Sequence, residues 1–246
     1  MSYEQMAYRE LKAWQKQMMQ NPSLLDKLSK KMQTKLNSFI PEKIHLVVTT
    51  TIKQMTRGVL FGAGYTTKPP ALIHSLAETE EQVLQLITAY KRTASVEGGI
   101  TGAGGILLGL ADFPILITLK LKMLFDIATL YGFDVKDYKE RLYLLHIFGL
   151  AFSSQQHRRQ LYEHTQDWDL KKEKLPNDIH QFDWRGFQQE YRDYIDLAKM
   201  AQLIPGIGAV VGLVVNYKLI KKLGHTAMNA YRMRLFSKNS IGTIMR

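Results

Sequence analysis

The sequence has no cysteine in its 246 residues. That excludes disulfides, thiolate metal or iron–sulfur sites and a cysteine nucleophile, and it fits a reducing compartment. Acidic residues are absent after Asp196: the stretch that follows holds Lys199, Lys218, Lys221, Lys222, Arg232, Arg234, Lys238 and Arg246 against none. The opening MSYEQMAYRELKAWQKQ lacks the apolar centre of a secretory signal, and with Ser2 at position 2 and no cysteine no lipidation motif is present. The expected location is therefore the cytosol. Seven histidines include no HExxH pair, and there is no G-x-S-x-G elbow, P-loop ending, kinase set, zinc finger or RNP signature. No metal, cofactor or nucleic acid is expected.

What is present is a core-forming composition, 46% apolar and 22% charged, with 33 basic and 22 acidic side chains. The net charge of +11 is uneven. Residues 1–57 carry ten Lys/Arg against four Asp/Glu, the acid-free end carries eight cations, and the middle is close to neutral. Two basic ends point to an anionic partner, and an acidic lipid leaflet fits without any nucleic-acid motif.

The pattern is helical nearly throughout, which predicts an all-α, single-domain protein. Residues 3–20 place Met6, Leu11, Trp14 and Met18 at helical spacing. Asn21-Pro22 opens a second helix to about Phe39. Pro41 opens a third to about Gly62, in spite of the strand-prone Val47-Val48-Thr49-Thr50-Thr51. Ser75 and Glu78 form a capping box for a helix to about Ser95, with an acidic first turn (Glu78, Glu80, Glu81) and Lys91-Arg92 in the last. Asp112 can cap a helix with Pro114 in its first turn, ending at Gly132. Asp137 to Phe152 is another. Residues 153–182 are polar and suggest a loose excursion. Helices over 183–203, 205–223 and 225–237 complete the chain, followed by a frayed tail at 238–246.

The stretch from Glu97 to Pro114 holds six of the seventeen glycines. Gly98, Gly102, Gly105 and Gly109 follow a 4-3-4 spacing that on a helix gives one smooth stripe. Gly208 and Gly212, after Pro205, and Gly58 and Gly62 repeat the four-residue step. A phosphate loop lacks its preceding strand. A membrane span over 100–119 would carry Asp112 past its middle, at about 2.5–3.5 kcal/mol. Two short, close-packed apolar helices meeting at a break near Asp112 fit best, either as a buried centre or as a hairpin seated in a lipid face. His157 and His164, with Glu163 and Asp167, suggest surface histidines before a metal site. Asp112, Asp134 and Glu140 could do acid–base work, but helix capping and surface ion pairs account for them.

Around Tyr217 the pattern Lys218, Lys221, Lys222 and then Arg232 and Arg234, mixed with aromatic and aliphatic side chains, suits a membrane interface. Each cation near an anionic leaflet adds about 1 kcal/mol.

Together, Glu97-Gly98-Gly99, Thr101-Gly102, Gly109-Leu110-Ala111-Asp112-Phe113-Pro114, Tyr131-Gly132-Phe133-Asp134 and Glu140-Arg141 resemble the central signature of the EcsC family. Ile204-Pro205-x-Ile207-Gly208-Ala209-Val210-Val211-Gly212 with Asn216-Tyr217 resembles its second signature. The resemblance covers roughly residues 5–237. It implies a bacterial protein encoded beside an ABC-type exporter, and it supplies no catalytic residue. The expectation is a non-enzymatic accessory protein, peripheral on the inner face of the cell membrane, that binds anionic lipid or a component of the exporter. The alternatives are a hydrolase or lipid-modifying enzyme at Gly98–Asp112 with Asp134, and a carrier of lipid or another apolar ligand.

Overall fold

In the computed structural model the described residues are 1–20, 42–61, 69–102, 105–153, 155–183, 185–187 and 209–242, with backbone alone for 42–45, 94–102, 105–112, 155–156, 209–216 and 238–242. The larger helices are α1 (Tyr3–Met19), α2 (Glu42–Phe61), α3 (Leu76–Gly102), α4 (Gly105–Leu130), α5 (Tyr138–Phe152), α6 (Gln155–Thr165), the single turn α7 (Trp168–Lys171) and α8 (Ala209–Gly242). The fold is all-α, with no β-strand among the described residues.

Local chemistry sets several boundaries. Ser2 and Gln5 close a reciprocal capping box on α1: the Gln5 amide donates to Ser2 Oγ at 3.3 Å and the Ser2 amide to Gln5 Oε1 at 3.1 Å. The Glu78 amide donates to Ser75 Oγ at 3.2 Å at the head of α3, and Asp137 caps α5 through the Lys139 amide at 2.8 Å. Gly132 ends α4 with φ +77°. Its amide reaches Thr129 O and the Phe133 amide reaches Ala128 O, both at 3.0 Å, the paired bonds of a Schellman ending. The strand-prone Val47–Thr51 run lies inside α2, because Val48, Ile52, Met55 and Val59 recur at helical spacing and are buried.

Four expectations fail. The break at Asp112 is absent: α4 runs from Gly105 through Pro114 to Leu130, so Asp112 is no N-cap. A proline inside a helix costs about 3 kcal/mol, and burial of Phe113, Leu116, Ile117 and Leu121 on its inner face offsets that cost. The helix over 75–95 continues to Gly102. Residues 153–182 are not loose. They form α6, α7 and two 3-10 turns, since Leu161, Tyr162, Thr165 and Trp168 recur every three or four residues and are buried.

The fourth failure concerns Gly224. The helices expected on either side of it are one helix, α8, which also takes in part of the tail expected to fray. A Cβ at Gly224 would lie 2.5 Å from Ile87 Cδ1. The glycine admits α3 at close range and ends nothing. The helices expected at 21–39 and over most of 183–208 lie outside the described residues.

One apolar core joins α2, α3, α4, α5 and α8, with Tyr131, Tyr143, Phe148 and Tyr231 among its buried members. A smaller cluster of Leu11, Met18, Leu150, Leu161, Tyr162 and Met233 seats α1 on α8, α5 and α6. Among the described residues no helix is long and apolar enough to cross a membrane.

Candidate functional site

Helix α8 contains no Asp or Glu, so every counter-charge for its cations comes from another element. Arg232 and Arg234 stand two positions apart and leave the helix about 200° apart. They enter two separate acid sites.

Arg232 is 4% exposed. Its Nε and Nη2 each donate to Glu80 of α3 at 2.6 Å, and Nη1 donates to Glu10 of α1 at 2.8 Å. Glu80, 0% exposed, also accepts from Tyr3 Oη at 2.6 Å and from Tyr131 Oη at 3.0 Å. Burial, followed by the hydrogen bond to Glu80, pushes the Tyr3 phenol up to about 12, so it stays a donor.

Arg234 is 2% exposed. Nη1 and Nη2 grip Glu140 of α5 bidentately at 2.6 and 2.8 Å, while Nε and Nη2 hold Asp169 of α7 at 3.0 and 2.6 Å. Lys172 completes the group on Glu140 at 2.9 Å. The guanidinium lies 3.8 Å from the Phe133 ring centre and 4.8 Å from that of Tyr143, so aromatic rings help to shield it from water. Burial pushes the Glu140 carboxyl up, but the hydrogen bonds and charges of Arg234 and Lys172 outweigh it and hold the acid below the ordinary glutamate value. Two fixed cations and two fixed carboxylates make a clamp, not an acid–base pair.

Arg232 and Arg234, expected at a lipid surface, are therefore core residues. Glu140, expected in a surface ion pair, is the buried partner of Arg234. The sequence reading missed Glu10, Glu80, Asp169 and Lys172. The available signal was an Arg-x-Arg pair in an acid-free helix that continues a buried apolar face.

The other half of α8 differs. Lys218, Lys221 and Lys222 are exposed and Tyr217 is 43% exposed, while Ile220 and Leu223 on the opposite face are buried. Lys91 of α3 lies 4.8 Å from the Tyr217 ring centre, with Nζ 3.4 Å from Oη. This is a cationic surface with an aromatic at its edge.

Of the other residues singled out from sequence, Tyr131 holds Glu80 as described. Asp134 is exposed and closes a turn by accepting the Lys136 amide at 2.9 Å, which takes away its part in the hydrolase alternative. Glu97, Gly98, Gly99, Thr101 and Gly102 lie in the last turns of α3, Gly105, Gly109, Asp112 and Pro114 in α4, and Gly212 and Asn216 in α8. Apart from exposed Pro114, their side chains lie outside the described set, as do Pro205 and Gly208 altogether. The expected packing of the glycine stretches on one another falls there too. His164 stacks on buried His146 at 5.8 Å, and among the described residues no three His, Asp or Glu are grouped to hold a metal.

A single signature run thus has a definite task. Tyr131 orients Glu80, Gly132 turns the chain, Phe133 covers Arg234, and Glu140 binds it. The family model for the EcsC protein family matches residues 5–236. The chain belongs to the EcsC family. It is 42% identical over 241 residues to Protein EcsC of Bacillus subtilis, covering 98% of this chain and 99% of the relative. It is 27% identical over 247 residues to the uncharacterized protein YdbA of the same organism, covering 92% and 90%. No solved structure matches the chain. The first EcsC-type signature region sits on α3 to α5, and the described part of the second, from Ala209, at the head of α8; these elements contribute to the arginine clamps and the lysine surface.

Proposed function

We propose that this EcsC-family protein is a non-enzymatic accessory factor that docks on the anionic inner face of the cell membrane, in the service of an ABC-type exporter. The observation that carries the reading is the exposed face of α8. Lys218, Lys221 and Lys222 stand together outside while the same helix draws Arg232 and Arg234 inside. Lysine stems lying over a headgroup layer, with Tyr217 at the interface, suit a peripheral mode of binding. The net charge of +11 favours the approach at low ionic strength. The clamped glutamates favour a binding module over a hydrolase.

Flotation of the full chain with anionic liposomes tests this. Binding at low salt is expected, with most of it lost when Lys218, Lys221 and Lys222 become Glu. Arg232 and Arg234 stay untouched, since charge reversal there would break the fold. No binding, or binding indifferent to the triple substitution, overturns the reading. Capture of an exporter subunit without lipid would shift the partner from bilayer to protein.

A further inference from the structure

The lysine face continues down α8. At about 100° per residue, Lys218, Lys221, Lys222, His225, Asn229 and Arg232 fall within one stripe, opposite the buried Ile220, Leu223 and Ala227. The stripe is exposed at its upper end and closed at its lower end, where Glu10 of α1 and Glu80 of α3 cover Arg232. His225 stands at the change-over and is exposed. Asn229 Nδ2 donates to its carbonyl at 3.0 Å and Asn229 Oδ1 accepts from Arg232 at 3.4 Å, which ties its turn to the buried clamp. Ile87 against Gly224 brings α3 alongside, with Lys91 on Tyr217.

The charged groups that act on the imidazole are Lys221 and Arg232 of α8, Lys91 of α3 and Glu10 of α1. Three cations outnumber one carboxylate that already serves Arg232. Partial burial first, then Lys221 and Arg232, hold His225 below its ordinary value, so near neutrality the free protein carries it uncharged.

Resting on the membrane reading above, we infer that His225 is the proton-linked member of this face: headgroup phosphates of an anionic bilayer that settle on Lys218 and Lys221 draw a proton onto its imidazole. Phosphates there offset the cations that oppose protonation, and the new charge then adds to the attraction. By linkage, what favours the proton on binding makes the proton favour binding. The partner is a lipid surface, because a flat field of repeated phosphates matches the exposed upper end of the stripe, on a helix that contains no Asp or Glu.

The experiment is co-sedimentation of the full chain with vesicles of phosphatidylglycerol in phosphatidylcholine, and of phosphatidylcholine alone, at about pH 8 and about pH 6. Wild type is expected to bind the anionic vesicles about fivefold more tightly at the lower pH, the weight of one added cation at such a surface. His225→Gln should bind weakly and equally at both, and His225→Lys tightly and equally at both. A wild-type ratio of one, or the wild-type ratio retained by His225→Gln, overturns the inference while leaving membrane binding intact. No binding to anionic vesicles at either pH overturns both.

Discussion

The upper and lower halves of α8 carry the same kind of side chain to opposite ends. Lys218, Lys221 and Lys222 stay in water, whereas Arg232 and Arg234, ten to sixteen positions further along, are almost fully enclosed. The difference lies in the neighbours. The lower half meets Glu10, Glu80, Glu140 and Asp169 from four other elements, and the guanidinium fork satisfies two carboxylates at once. A run of positive charge in a sequence therefore says nothing of depth until the acids that answer it are placed.

The largest effect should come from breaking the lower half. Arg234→Met leaves Glu140 and Asp169 beside a lost partner and should cost about 3–5 kcal/mol, read as a lower denaturant midpoint. Adding Glu140→Leu should recover much of the loss, since an apolar pair of similar volume tolerates burial better than one orphaned charge. If the single substitution proves harmless, the contrast between the halves collapses.

Acid should weaken the interior next. Burial first, then His164 and Lys171, lower His146 to about 3. The unfolded chain takes up this proton near pH 6.5 and the folded chain does not, so stability is full above about 6.5 and falls as pH drops toward about 3. The loss has an upper limit of about 5 kcal/mol. Urea titrations across that window should show the decline, and His146→Phe should flatten part of it.

A smaller effect sharpens the junction between the halves. Gly224→Ala drives a methyl into Ile87 and should cost about 1–3 kcal/mol. In an Ile87→Ala background the same change should become stabilising, as alanine's helix preference of about 1 kcal/mol is then unopposed. A double-mutant cycle in urea measures the sign.

Least of all, the triple change of Lys218, Lys221 and Lys222 to Glu should move stability by only about 0.5 kcal/mol per site, as exposed positions do. A loss on the scale of Arg234→Met would mean that the upper half is also part of the interior.

Much of the helical frame was legible residue by residue. Ser75 and Asp137 mark helix starts and Gly132 a stop because each acts on backbone groups within a few residues. The misreadings at Pro114 and Gly224 share one cause. Both residues are local breakers, and at both the packing of distant helices overrides local preference. The family signature was legible as a pattern, but the use of Tyr131, Phe133 and Glu140 was not. Their partners Glu80 and Arg234 lie 51 and 94 positions away from Tyr131 and Glu140.

Composition and spacing alone determined that the chain is all-α, basic at both ends and free of thiol chemistry, and its signature residues carried the resemblance to the EcsC family, since these depend on residue identity and near neighbours. Which cations face water and which are locked inside was decided only when α1, α3, α5 and α7 closed around α8. Electrostatic partnership acts across space, and only the folded chain sets those distances.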